Sequence, residues 1–234
     1  MKKVFAPLSL FVLCSLSCPA KSEWLQVGAA CVDVSPTVFP IQLRSGKSNY
    51  VHDPLHVRAV AFQKGEGRAV ICLIDAIGIG RDMSGLAKAR AAEKTGWKPE
   101  EMLICATHTH TAPKGGEGTP GKEAYEKLKH EKLEEAIVKA IQALQPARVG
   151  FGSDEEPSEV RNRRWFLKEG TMPPNPLGEE DQVKTNANRN HLVKPAGPVD
   201  PELCVIDVRT NRHKPLALIA NSALHYVGGI PKVK

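Results

Sequence analysis

Short apolar runs bounded by Gly, Pro and Ser alternate along this chain with two longer stretches of helical period. Residues 25–34 are mostly apolar or small until Ser35-Pro36 interrupts them, which predicts a first strand; the mixed residues 37–49, with Pro40, Gly46 and Ser48, predict a loop. Residues 55–63 and 68–75 flank Lys64-Gly65-Glu66-Gly67 and predict a hairpin. In residues 82–95 Met83, Leu86, Ala87 and Ala91 recur at helical spacing, with Asp82 as candidate N-cap and Gly96 as the stop. A second helix is predicted by Tyr125, Leu128, Leu133, Ala136, Ile137, Ala140, Ile141 and Leu144, ended by Pro146. Its charged residues, from Glu126 and Lys127 to Glu134 and Glu135, predict a solvated face. Residues 147–152 predict a short strand, residues 172–198 a long loop rich in Pro and Asn, and residues 203–208 and 216–220 two more strands. Strands mixed with helices make this an α/β chain.

Between the two helices lies the stretch on which the functional reading turns, Met102 to Pro113: M-L-I-C-A-T-H-T-H-T-A-P. Residues 103–106 predict a strand buried on both faces. If the strand continues, His108 and His110, two residues apart, project to the same side of it. Paired imidazoles on a stiff scaffold suit a metal such as zinc, while a single histidine at a strand end more often only hydrogen-bonds. Thr107, Thr109 and Thr111 offer hydroxyls to support the rings. His225 again follows an apolar strand, and strand ends of one sheet can converge, so it joins the candidate set. The other five histidines, His52, His56, His130, His191 and His213, lack that placement and read as surface or packing residues. Asp75, at the mouth of a buried strand, has two readings: it orients an imidazole or sits near the metal, or it accepts backbone hydrogen bonds from the turn that follows. From Lys114 to Gly121 a glycine-rich lip borders the paired histidines.

Composition narrows the class. The 234 residues are 41% hydrophobic and 25% charged, which suits one or two globular domains and excludes a disordered chain. Met1-Lys2-Lys3, an apolar run over residues 4–16 and Cys18-Pro19-Ala20 match a secretory signal cut after Ala20. This assigns residues 1–20 to a signal peptide and 21–234 to the mature, exported chain. The alternative is a lipoprotein signal with Cys18 acylated, since Ser15-Leu16-Ser17-Cys18 is loosely lipobox-like. Removing Lys2 and Lys3 with the signal lowers the formal charge from +6 to +4. With Lys and Arg scattered among acids, that modest excess argues against a nucleic-acid partner. Cys31, Cys72, Cys105 and Cys204 remain after the cut, and none has C-x-x-C spacing. Export permits disulfides, but Cys72, Cys105 and Cys204 lie in apolar runs where a free buried thiol is expected.

Several stretches together resemble the neutral, non-lysosomal ceramidase family: Val27-Gly28-Ala29-Ala30 with Val32-Asp33-Val34-Ser35-Pro36, Ala106-Thr107-His108-Thr109-His110, Pro146-Ala147-Arg148-Val149-Gly150, Asn162-Arg163, and the strand leading to His225. The resemblance spans about the whole mature chain, and A-T-H-T-H is its most specific part. It implies a zinc amidohydrolase of mixed β-sheets flanked by helices, with residues 21–234 as an incomplete N-terminal portion of a larger catalytic domain. It also implies zinc ligation by His108 and His225, substrate binding or orientation by His110, and an active-site role for Arg163. The implied substrate is a lipid amide, an N-acyl sphingoid, with room for peripheral membrane contact; of oligomeric state the sequence says nothing. The family completes its zinc sphere with a Glu and a Tyr further downstream, and Tyr226 does not share that tyrosine's context. Two expectations follow: a piece of a longer amidohydrolase, or an exported binding or structural module that keeps the family core without catalysis. An amidohydrolase barrel fits less well, because residues 153–200 lack the strand and helix alternation it needs.

Overall fold

The computed structural model describes residues 24–44, 46–113 and 121–225. The expected signal peptide, Cys18, most of the glycine-rich lip and Tyr226 lie outside them. The strands are β1 (Gln26–Asp33), β2 (Ile41–Leu43), β3 (Gly46–Ser48), β4 (His56–Lys64), β5 (Gly67–Ile74), β6 (Met102–Ala106), β7 (Gln145–Glu155), β8 (Arg164–Leu167), β9 (Lys184–Thr185), β10 (Leu192–Pro195), β11 (Glu202–Thr210) and β12 (Pro215–Ser222). The helices are α1 (Arg81–Thr95) and α2 (Gly121–Gln142). Seven strands form one mixed sheet in the order β12-β11-β7-β1-β4-β5-β6, in which only β5 and β6 run parallel. The expected α/β architecture of mixed sheets with helices is therefore present. Among the described residues no helix is long and apolar enough to cross a membrane.

Alternation along the strands explains where the helices sit. Val57, Ala59 and Ala61 of β4 and Val70, Cys72 and Ile74 of β5 are all buried, and they share one core with Ala87 and Ala91 of α1 and Leu133, Ala136, Ile137 and Ala140 of α2. Burying a Leu or Ile side chain contributes about 1.5–3 kcal/mol, so this layer is the main source of stability. Close approach of α2 to β1 depends on Gly28, where a Cβ would stand 2.0 Å from the Ala140 carbonyl oxygen. The antiparallel β4–β5 hairpin matches the expectation from residues 55–75, and α1 stops at Gly96 in the left-handed conformation (φ 70°), its N–H bonded to the Ala92 carbonyl.

The sheet folds back on itself. β7 pairs with β1 through two residue pairs only, Gln26↔Pro146 and Val27↔Gln145, while the rest of its length pairs with β11. A second core joins Val27 and Val60, on β1 and β4, to Ala147 and Val208, on β7 and β11. The wing formed by β7, β11 and β12 thus packs over the face of β1 and β4 that the helices leave free.

Several expectations are corrected. The strand of residues 103–106 is not buried on both faces: β6 is a sheet edge, and Leu103 is 57% exposed. Leu86 faces solvent, and Gly80 takes the N-cap of α1, leaving Asp82 in the first turn, where its charge suits the helix dipole. Within the loop expected at 37–49, Ile41–Leu43 pairs with Gly46–Ser48 as a small hairpin. The loop expected at 172–198 contains β9 and β10, which flank β8 in a three-stranded sheet. Its asparagines organise turns, Asn175 Oδ1 accepting from the Leu177 and Glu179 N–H groups and Asn188 Oδ1 from that of Asn190. All four described cysteines are free; Cys72 is buried, which pushes its thiol up to about 12, but Cys204 is exposed, contrary to expectation, as is Cys31.

Candidate metal centre

Three imidazoles meet at one end of the sheet. One nitrogen from each of His108, His110 and His225 lies within 4.8 Å of the others. Ring centroids are 4.8 Å apart for His108 and His110, and 5.2 Å apart from each of these to His225. The distance is informative because His108 and His110 follow β6, while His225 follows β12, at opposite edges of the strand order. Seven strands laid flat would separate those edges by roughly 29 Å at ~4.8 Å per strand. Folding over at the β1–β7 junction is what closes that gap.

Local geometry differs from a continued strand. The Thr107 N–H bonds to the Ile74 carbonyl, and His108 then takes a left-handed backbone (φ 60°), which kinks the chain directly after β6. His108 and His110 converge through this kink and not through strand alternation. The position, past the carboxyl ends of the parallel pair β5 and β6, is where open α/β sheets commonly bind ligands. The turn after β5 fixes the first ring: His108 Nδ1 lies 2.6 Å from the Ile77 carbonyl oxygen. A carbonyl only accepts, so Nδ1 carries the proton and Nε2 of neutral His108 presents its lone pair. A backbone carbonyl behind a ligating histidine is the usual way such a ring is oriented for a metal.

His110 sits between His108, whose Nε2 is 3.3 Å from its own Nε2, and Arg44, whose Nη1 is 3.0 Å from its Nδ1. Partial burial, followed by the charges of Arg44 and of the neighbouring His108, His225 and Arg163, holds the His110 pKa below the ordinary imidazole value. Arg163 is the weakest of these influences on His110. The preceding Asn162 ties this loop down, its Nδ2 donating to the Pro198 carbonyl (3.0 Å) and its Oδ1 accepting from the Arg164 N–H (2.9 Å).

Other candidates fall elsewhere. Asp75 Oδ2 accepts from Arg58 Nη1 and from the His56 N–H, each at 2.9 Å, so its backbone donor is on the adjacent strand and not in the turn that follows. The Thr109 and Thr111 hydroxyls bond each other at 2.9 Å. His52 pairs with Asp53, and none of the remaining histidines enters the cluster. Arg44 is the residue that sequence reasoning passed over; it occupies the turn of the β2–β3 hairpin, and no local pattern in a stretch that reads as loop links it to His110.

The fold of this chain has a counterpart among solved structures. Its fold resembles that of neutral ceramidase. The structure of neutral ceramidase from Pseudomonas aeruginosa and that of a ceramidase complexed with C2 each superimpose with a TM-score of 0.60 over 85% of this chain, at 18% sequence identity. The chain spans 31% of the length of those ceramidases. It matches no known protein family profile and no curated protein sequence. At this identity the likeness establishes the fold. The chemistry of the cluster has to be argued from its own atoms.

Those atoms fit a divalent cation. Imidazole nitrogen, with no carboxylate grouped beside it among the described residues, suits zinc and not calcium or magnesium, which take oxygen ligands.

Proposed function

We propose that this chain carries part of the active centre of a zinc-dependent hydrolase of linear amides, ceramidase-like in substrate class, with His108 and His225 as zinc ligands. The observation that carries the reading is the meeting of His225 with His108 across a folded sheet, with the His108 Nε2 lone pair set free by the Ile77 carbonyl. A zinc ion held there supplies Lewis acidity, polarising an amide carbonyl and acidifying water. His110, with Nδ1 facing Arg44, offers its Nε2–H as a donor to a substrate oxygen. Arg163, whose charge reaches His110, would favour the negative charge that develops on the carbonyl oxygen in acyl transfer. The fold likeness supports a lipid amide as substrate, and it is compatible with the exported address and signal peptide read from residues 1–20.

His108 and His225 are two ligands among the described residues, one short of the three that catalytic zinc sites have, and this favours a second reading, an exported binding or structural module that does not hydrolyse anything. Metal analysis and an amide-hydrolysis assay on the same preparation separate the two. We expect about one zinc per chain, falling at least tenfold in His108→Ala and in His225→Ala. Zinc content unaffected by His108→Ala rejects the site; zinc bound at full occupancy without amide release supports the binding module.

A further inference from the structure

The three imidazoles are close enough to act as equivalent ligands, yet their hydrogen bonds make them unequal. The Ile77 carbonyl can only accept, so it receives the Nδ1–H of His108 and leaves Nε2 of that ring unprotonated. The Arg44 guanidinium can only donate, so it requires the opposite at His110: Nδ1 unprotonated, with the proton of the neutral ring on Nε2. Without a metal, one proton then lies between the two Nε2 atoms, donated by His110 to His108 across 3.3 Å; a metal on His108 Nε2 would take the place of that bond and leave the His110 Nε2–H for another acceptor. The chain of bonds is consistent from end to end, with every donor facing an acceptor.

A consequence follows for metal binding. To ligate through the Nε2 that faces the cluster, His110 would have to move its proton to Nδ1, and an Nδ1–H would point at the Arg44 N–H groups. Two donors face to face lose the hydrogen bond and leave the guanidinium unpaired there, beside a cation that already repels it. We infer that Arg44 is a positioning residue that holds His110 outside the coordination sphere of the metal, keeping it as a hydrogen-bond donor beside a site whose ligands are His108 and His225. The inference rests on the zinc site proposed above and deepens it by explaining why three adjacent histidines do not serve alike.

A zinc titration around a double-mutant cycle tests this, using the protein, His110→Ala, Arg44→Met and the double variant. His110→Ala alone is expected to change the zinc Kd by less than about threefold; in the Arg44→Met background, where Nδ1 is free, the same change is expected to weaken zinc about tenfold or more. An equal effect of His110→Ala in both backgrounds, large or negligible, overturns the inference. Arg44→Lys, which retains a donor and a charge, is expected to behave as the parent, and it keeps the test valid if Arg44→Met misfolds. A measurement without metal separates this inference from the zinc site itself. In a long-range nitrogen–proton spectrum of the metal-free protein at about pH 8, where imidazole is neutral, His110 is expected to lack a proton on Nδ1. An Nδ1–H signal there sinks the Arg44 assignment even if zinc binds, while loss of zinc dependence on His108 sinks the site and leaves the Arg44 contact intact.

Discussion

The two halves of the sheet are built differently. On one side β1, β4, β5 and β6 carry two helices, and Val57, Ala61, Ile74, Leu133 and Ile137 are each at most 1% exposed. On the other, β7, β11 and β12 carry no helix among the described residues, and Phe151 is 84% and Leu218 67% exposed although both lie within paired strands. The first half supplies stability and the turns that fix His108; the second is a lightly packed wing that delivers His225. A site shared between them needs only the wing's base to be anchored, which the core of Val27, Val60, Ala147 and Val208 achieves. Phe151 and Leu218 bury little of their own area in this chain, so substitutions there should cost little.

The largest expected effect breaks that comparison directly. Leu133→Ala empties the core between α2 and the sheet and is expected to destabilise by about 2–5 kcal/mol, whereas Phe151→Ala, despite removing a larger side chain, should stay within about 0.5 kcal/mol. Urea denaturation of both variants decides it; comparable losses would mean that the wing is covered in solution. Gly28→Ala comes next. Its added Cβ would meet the Ala140 carbonyl at 2.0 Å, so α2 must move away from β1, at an expected cost of about 1–3 kcal/mol by the same assay. A neutral result would show that the helix layer is looser than its burial implies.

How far the sequence could be read follows the same division. Elements with a strong period emerge within a few residues: α1, α2 and the β4–β5 hairpin are all visible in their apolar spacing. β6 was legible as a strand but not as an edge, because burial of Leu103 depends on a neighbour that no local pattern specifies. Weak turns over residues 172–198 hid β9 and β10, whose pairing with β8 is held by few ladder bonds and by asparagine turns. The histidine cluster was legible as candidates because both motifs end apolar runs. Its closure was not, since it depends on the two-residue β1–β7 junction that folds the sheet over. Arg44 was invisible for the same reason: it reaches His110 across 66 positions of chain, from a hairpin too short to have a period.

The smallest effect concerns the solvent side of α2, where charge and not packing operates. Glu135 accepts from Lys132 Nζ at 2.7 Å and from Lys139 Nζ at 2.5 Å, and these two bonds hold its carboxyl below the ordinary 4.5. Because the folded pKa is the depressed one, the contribution is fully present above about pH 4.5 and is lost as pH falls through the lower folded value. Partly exposed pairs of this kind are worth less than about 1 kcal/mol. Glu135→Gln should therefore be slightly less stable than the parent at about pH 7, with the gap closing as pH falls below the ordinary 4.5. A gap that persists unchanged at low pH would assign the loss to packing of α2 and not to its lysines, and would extend the tightly packed half of the molecule out to the helix surface.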